Sequence, residues 1–111
     1  MSIIRNNVRQ ILSQIPTGVA VVAAAKTRSA EEILQALDGG IEHIGENYLQ
    51  ESREVIQEIG NKTSWHFIGH IQKNKVKYIV PLFDMIETVD STDLAEVIDK
   101  QAEKHGKIMP V

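Results

Sequence analysis

Four short stretches of this 111-residue chain carry side chains with chemistry to offer. The first ends on Lys26, which follows directly on the apolar run Val19-Ala20-Val21-Val22-Ala23-Ala24-Ala25. A lysine at the carboxyl end of a buried strand stands where parallel α/β folds bind ligands. Held against apolar walls, its amine loses hydration, and the neutral form becomes available to attack an aldehyde. A lysine that simply carries its charge out of a strand end into water accounts for the same residue.

The second stretch is Gly45-Glu46-Asn47. Glycine lets the backbone turn or approach a ligand closely, and Glu46 and Asn47 are expected to point into the same mouth as Lys26. Asn47 is equally well placed to cap a following helix. The third is Trp65-His66-Phe67-Ile68-Gly69-His70. Histidines four apart pair on a metal only when a helix stacks them. This stretch reads as a strand and turn, so the two rings do not share a face and no metal site is expected. Within the strand His66 and Ile68 share one face, Trp65 and Phe67 the other. One pair lines an interior and the other meets helices, and a histidine at the mouth either stacks on a flat cofactor or belongs to the core. The fourth is Lys73-Asn74-Lys75-Val76-Lys77, a basic cluster that meets phosphate or an acidic partner, or is a solvated helix face.

The elements that position these residues follow from periodicity. Ile4, Val8, Ile11, Leu12 and Ile15 give an amphipathic helix over 3–15, ended by Pro16 and Gly18. The run 19–25 is continuously apolar, as a strand buried on both faces requires. Ser29 with Glu32 is a capping-box pattern opening a helix that Gly39-Gly40 stops. A strand at 43–45, a helix at 48–59, a strand at 65–68, a short helix at 72–80 halted by Pro81 and a strand at 85–89 follow. Asp90 or Ser91 then caps a helix carrying Leu94, Val97, Ile98 and Ala102, and residues 108–111 begin a fifth strand. Strands starting near 19, 43, 65, 85 and 108 recur every 20 to 24 residues, the cadence of βα units on a parallel sheet.

Composition narrows the class. Apolar residues make up 42% and charged residues 24%, the values of a globular domain. A net charge of −3, with eight acids against Arg53 alone between residues 31 and 58, argues against a nucleic-acid or anionic-membrane partner. There is no cysteine, which removes disulfides, thiolate metal sites and a thiol nucleophile. The N-terminus lacks the basic-then-apolar order of a signal peptide and the longest apolar run has seven residues, so a cytoplasmic protein is expected.

Taken together, Ala23-Ala24-Ala25-Lys26-Thr27, Gly45-Glu46-Asn47-Tyr48-Leu49-Gln50-Glu51, Trp65-His66-Phe67-Ile68-Gly69-His70-Ile71-Gln72-Lys73-Asn74-Lys75 and Val89-Asp90-Ser91 resemble, in order and spacing, the pyridoxal phosphate homeostasis family. The resemblance runs over essentially the whole chain. It implies an α/β fold, a TIM-barrel type of the alanine-racemase N-terminal-domain kind. Residues 1–111 would be the N-terminal half of a single barrel domain: an N-terminal helix, four βα units and the start of a fifth strand. It implies pyridoxal 5′-phosphate (PLP) held as an imine at Lys26, with Asn47 and His66 at the cofactor mouth. It further implies cofactor carriage or regulation without established catalysis, with PLP-dependent apoenzymes as recipients. A racemase-like PLP enzyme and a ligand-free interaction fragment are the alternatives. The family often has serine where this chain has Ala25, and its phosphate-gripping loop and the arginine facing the pyridine nitrogen lie beyond residue 111. A monomeric parent is therefore expected, while this piece alone is expected to bind PLP poorly and to self-associate through an open sheet edge.

Overall fold

The structure, a computed structural model, describes residues 2–111. Four parallel strands lie in sequence order: β1 (Val22–Ala24), β2 (His43–Glu46), β3 (Ser64–Phe67) and β4 (Met85–Ile86). Five helices accompany them: α1 (Ile3–Ser13), α2 (Ala30–Asp38), α3 (Leu49–Ile59), α4 (Val76–Ile79) and α5 (Thr92–Lys104). Neighbouring strands in consecutive order, each reached through a helix, are the βα arrangement that the spacing predicts. The register aligns Ala24, Gly45, His66 and Met85 in one row across the sheet.

Alternation sorts the strands into two faces. Ile44, Trp65, Phe67 and Ile86 point outward, are buried, and pack under the helices with Ile33, Ile59, Val76, Phe83, Leu94 and Ile98. Phe67 meets Phe83 edge to face with ring centroids 5.2 Å apart. The Trp65 indole N–H donates to the Gly60 carbonyl at 2.8 Å, so its one polar atom is satisfied in the core. Caps work as the sequence indicates. Ser29 and Glu32 form the reciprocal capping box of α2, and Ser91, rather than Asp90, accepts from the Leu94 N–H at 3.1 Å to open α5. The first helix is tied to α2 by Arg5 and Asp38 at 3.2 Å.

The structure departs from the sequence reading in four places. The 19–25 run yields only three strand residues, neither face of them fully buried, and Val19 is 57% exposed. The reason is position: β1 lies at the sheet's edge and pairs with β2 alone, whose ladder begins at His43. The 72–80 helix is a 3₁₀ turn, Lys73–Lys75, leading into the single turn of α4. The 85–89 strand is two residues long, because Thr88 turns away to donate its hydroxyl to the Gly69 carbonyl at 2.6 Å. Residues 108–111 form no strand; a single bond from the Ile86 N–H to the Pro110 carbonyl, 3.0 Å, lays them beside β4. The sheet is thus an α/β barrel wall, not a closed barrel. Among the described residues no helix is long and apolar enough to cross a membrane.

Candidate functional site

All four strands point their carboxyl ends the same way, and Lys26, Asn47 and Gly69 follow the first three of them at that rim. Lys26 follows β1 by two residues and is exposed; its Nζ stands 5.7 Å from the centre of the Tyr48 ring. The apolar walls expected around it are not in place, since the edge strand has a neighbour on one side only. Immediately after it Thr27 takes φ +61°, a left-handed conformation that a β-branched residue adopts only under constraint. The amine therefore sits on a backbone turn imposed by its surroundings.

Asn47 leaves β2 at the same rim. It does not cap α3: the capping position falls on Tyr48, with no side-chain cap bond. Its backbone instead meets Gly69 at the exit of β3. A methyl at position 69 would fall within 2.8 Å of the Asn47 carbonyl carbon and closer still to its oxygen, so only glycine permits this approach. Gly45 serves similarly one step back, where a side chain would collide with Val22 and Ile68. These contacts hold the exits of β2 and β3 together, and Tyr48, the residue after Asn47, is the one that stands beside Lys26.

Glu46 is the residue that sequence reasoning misdirects. It cannot share a face with Asn47, its neighbour in an extended chain, and it points to the helix side, 4% exposed, with Ser52 of α3. Burial pushes its carboxyl up to about 7; the charge of Glu51 adds to this and a hydrogen bond from Ser52 opposes it.

His66 lies on the inner face, in the row with Ala24 and Gly45, and is 6% exposed. Its Nδ1 is 3.0 Å from a carboxylate oxygen of Glu87, and its Nε2 is 3.1 Å from Nδ1 of His43 and 3.3 Å from the Ser64 hydroxyl. Neither His43 nor Glu87 is evident from the sequence as a partner of His66. The signal was there in part, since His43 and Gly45 share a face, but the pairing needs the strand register. His70 is exposed beyond the strand, apart from His66. Lys73 faces Asp93 at 3.4 Å with both side chains largely in water, and Lys75 and Lys77 are exposed, as a solvated face requires.

Comparison with known proteins places the chain in a family. The model of the alanine racemase N-terminal domain matches residues 1–111. The chain belongs to that family. Among curated relatives, the pyridoxal phosphate homeostasis protein of Vibrio alginolyticus is 35% identical over 100% of this chain and 54% of its own length. That of Mus musculus is 38% identical over 82% of this chain and 36% of its own. The chain spans about half the length of the curated relatives it matches. Among solved structures, PipY of Synechococcus elongatus with PLP bound superposes with a TM-score of 0.88 at 35% identity, over 93% of this chain and 50% of that one. Alanine racemase from E. faecalis, at 20% identity and a TM-score of 0.71 over 88% of this chain and 27% of that one, shares the fold.

Proposed function

We propose that the protein binds pyridoxal 5′-phosphate through Lys26 and serves in the intracellular homeostasis of that cofactor, as a carrier or regulator without turnover of its own. In this reading residues 1–111 are half of one cytoplasmic barrel domain, and PLP-dependent apoenzymes are the recipients. The observation that carries it is the rim itself: an exposed primary amine just past the end of the first parallel strand, beside the Tyr48 ring, with Asn47 leaving the next strand at the same end of the sheet. This donor set fits the ligand's chemistry, and PipY, a relative at 35% identity, has been solved with PLP bound. When bound, PLP supplies an aldehyde that an amine captures reversibly. Lys26 supplies the amine, the close contact of Gly69 with Asn47 fixes the neighbouring turn, and Asn47 and His66 complete the mouth.

Lys26→Ala is expected to abolish both the visible absorbance of the PLP-loaded protein and the adduct trapped by borohydride. Mapping of that adduct to Lys75 or Lys77 would overturn the assignment. The racemase reading has less support. It needs a second acid/base group on the far side of the ligand ring, whereas Tyr48 stands beside Lys26 itself and Tyr78 is on the outer surface between Arg53 and Lys77. Amino-acid racemisation by the PLP-loaded protein would restore it.

A further inference from the structure

Between Glu58 and Asp84 the chain has four lysines and no carboxylate, although it carries 15 acids against 12 bases in all. Residues 1–30 lack acids too, but there Arg5 and Arg28 are paired with Asp38 and Glu32. The fold makes the acid-free stretch one wall of a groove. Helix α3 packs on α2 and α4 packs on α5. Being a single turn, α4 leaves the facing flank of the three-turn α3 uncovered. Two clefts of about 470 and 400 Å³ open along that seam. Neither is lined by a carboxylate, whereas the clefts beside α1 and α5 hold Glu32 and the pair Asp99 and Glu103. On α3 the spacing separates two stripes: Gln50, Arg53 and Gln57 line the groove, and Glu51, Glu54 and Glu58 do not. At the centre the Arg53 guanidinium lies 4.7 Å and the Lys77 ammonium 5.2 Å from the middle of the Tyr78 ring, which is 40% exposed. Among the described residues Arg53, Lys75 and Lys77 are in no ion pair.

We infer that the α3–α4 groove docks an acidic, amphipathic polypeptide segment of a partner protein. Charge complementarity selects this occupant. Arg53 and Lys77 stand over a floor of Ile56, Pro81 and Leu82, so a matching segment brings carboxylates flanking an apolar side chain. A nucleic acid matches less well, because its phosphates offer nothing to the apolar floor and the acidic stripe of α3 runs alongside. The groove follows α3, about 16 Å at 1.5 Å per residue, which is room for about three turns of a docked helix. Its upper end is lined by Tyr48, whose ring stands 5.7 Å from Nζ of Lys26, so a docked segment ends at the amine. That the partner is a recipient of the cofactor rests on the PLP reading; the docking itself stands on the groove.

The probe is a fluorescein-labelled peptide of about a dozen residues, with leucines three and four apart and glutamates elsewhere, titrated against the protein as its gene encodes it and followed by anisotropy. Wild type is expected to bind it. The paired variant Arg53→Glu/Lys77→Glu is expected to lose at least about tenfold in affinity, and Arg53→Gln/Lys77→Gln about fivefold. Urea melts check the fold, and the glutamine pair decides should charge reversal unfold the protein. A peptide with lysine in place of every glutamate is expected not to bind. No binding of the acidic peptide, equal binding of the lysine peptide, or an affinity that the glutamine pair leaves unchanged overturns the site. Displacement by inorganic tripolyphosphate as readily as by unlabelled peptide also overturns it, since charge alone then accounts for binding. Sedimentation in which wild type self-associates and the glutamine pair does not gives the groove to a second copy and overturns the partner. Lys26→Ala is expected to bind the peptide as wild type does. Wild-type protein that yields no borohydride-trapped Lys26 adduct overturns the partner's role as recipient and leaves the anisotropy to decide the docking.

Discussion

The two faces of the same four strands have opposite characters. The outer face is dry: Ile44, Trp65, Phe67 and Ile86 are each at most 2% exposed beneath the helices, and the polar atom of Trp65 is satisfied internally. The inner face is polar, with two histidines, a glutamate and a serine bonded across the strands in place of interlocking hydrocarbon. One backbone ladder supports both because a strand exchanges faces at every residue. The outer face therefore supplies cohesion, and the inner face can spend its side chains on recognition. Glu46 is the exception: an acid of the rim sequence that falls on the cohesive side.

That contrast sets the order of expected effects. Phe83→Ala removes a fully buried ring from the dry side and is expected to cost about 3–5 kcal/mol, read from urea denaturation. A cost below about 1 kcal/mol would mean that the helices do not depend on this layer. Gly69→Ala forces a methyl onto the Asn47 carbonyl. It is expected to cost about 2 kcal/mol and to weaken PLP capture at Lys26 through displacement of the rim, seen in paired thermal melts and absorbance titrations. Unchanged cofactor capture in a destabilised variant would separate the rim from the site. The smallest effect is at Glu46. Its folded carboxyl binds a proton up to about pH 7, whereas the ordinary value is 4.5, so the folded state holds more protons than the unfolded chain between the two. Stability attributable to this group is complete below the lower value, falls as pH rises between them and stays reduced above. Glu46→Gln is expected to be more stable than wild type by on the order of 1 kcal/mol at pH 8, with the gap vanishing near pH 4. A gap that widens on acidification would show that the carboxylate is welcome where it lies.

Much of the architecture is legible in the chain because it is written locally. The Ser29–Glu32 capping box, the Ser91 cap and the recurrence of apolar strands every twenty-odd residues each depend on neighbours within a few positions. Lys26 and Asn47 were legible as rim residues for the same reason: both follow short apolar strands. What was not legible depends on partners distant in sequence. The run at 19–25 looks like a central strand, but β1 is an edge strand paired with β2 alone, and its residues are half-buried or exposed. His43 and Glu87 are unremarkable until the register brings His43 beside Ser64 and the residue after Ile86 beside His66. The direction of Glu46 was decidable from strand alternation alone, and the proximity of Asn47 obscured it.

The left-handed turn at Thr27 has a consequence for Lys26. A threonine left to itself would unwind toward extended geometry; the turn is closed by the Arg28 N–H on the Ala25 carbonyl, and Ala25 is itself tied to β2 through the Gly45 carbonyl, a clamp on a wound spring. Any loosening of those bonds lets the spring relax and moves the backbone that carries Lys26. Under the PLP proposal, capture of the cofactor by that one side chain would gauge how tightly the first two strands are zipped.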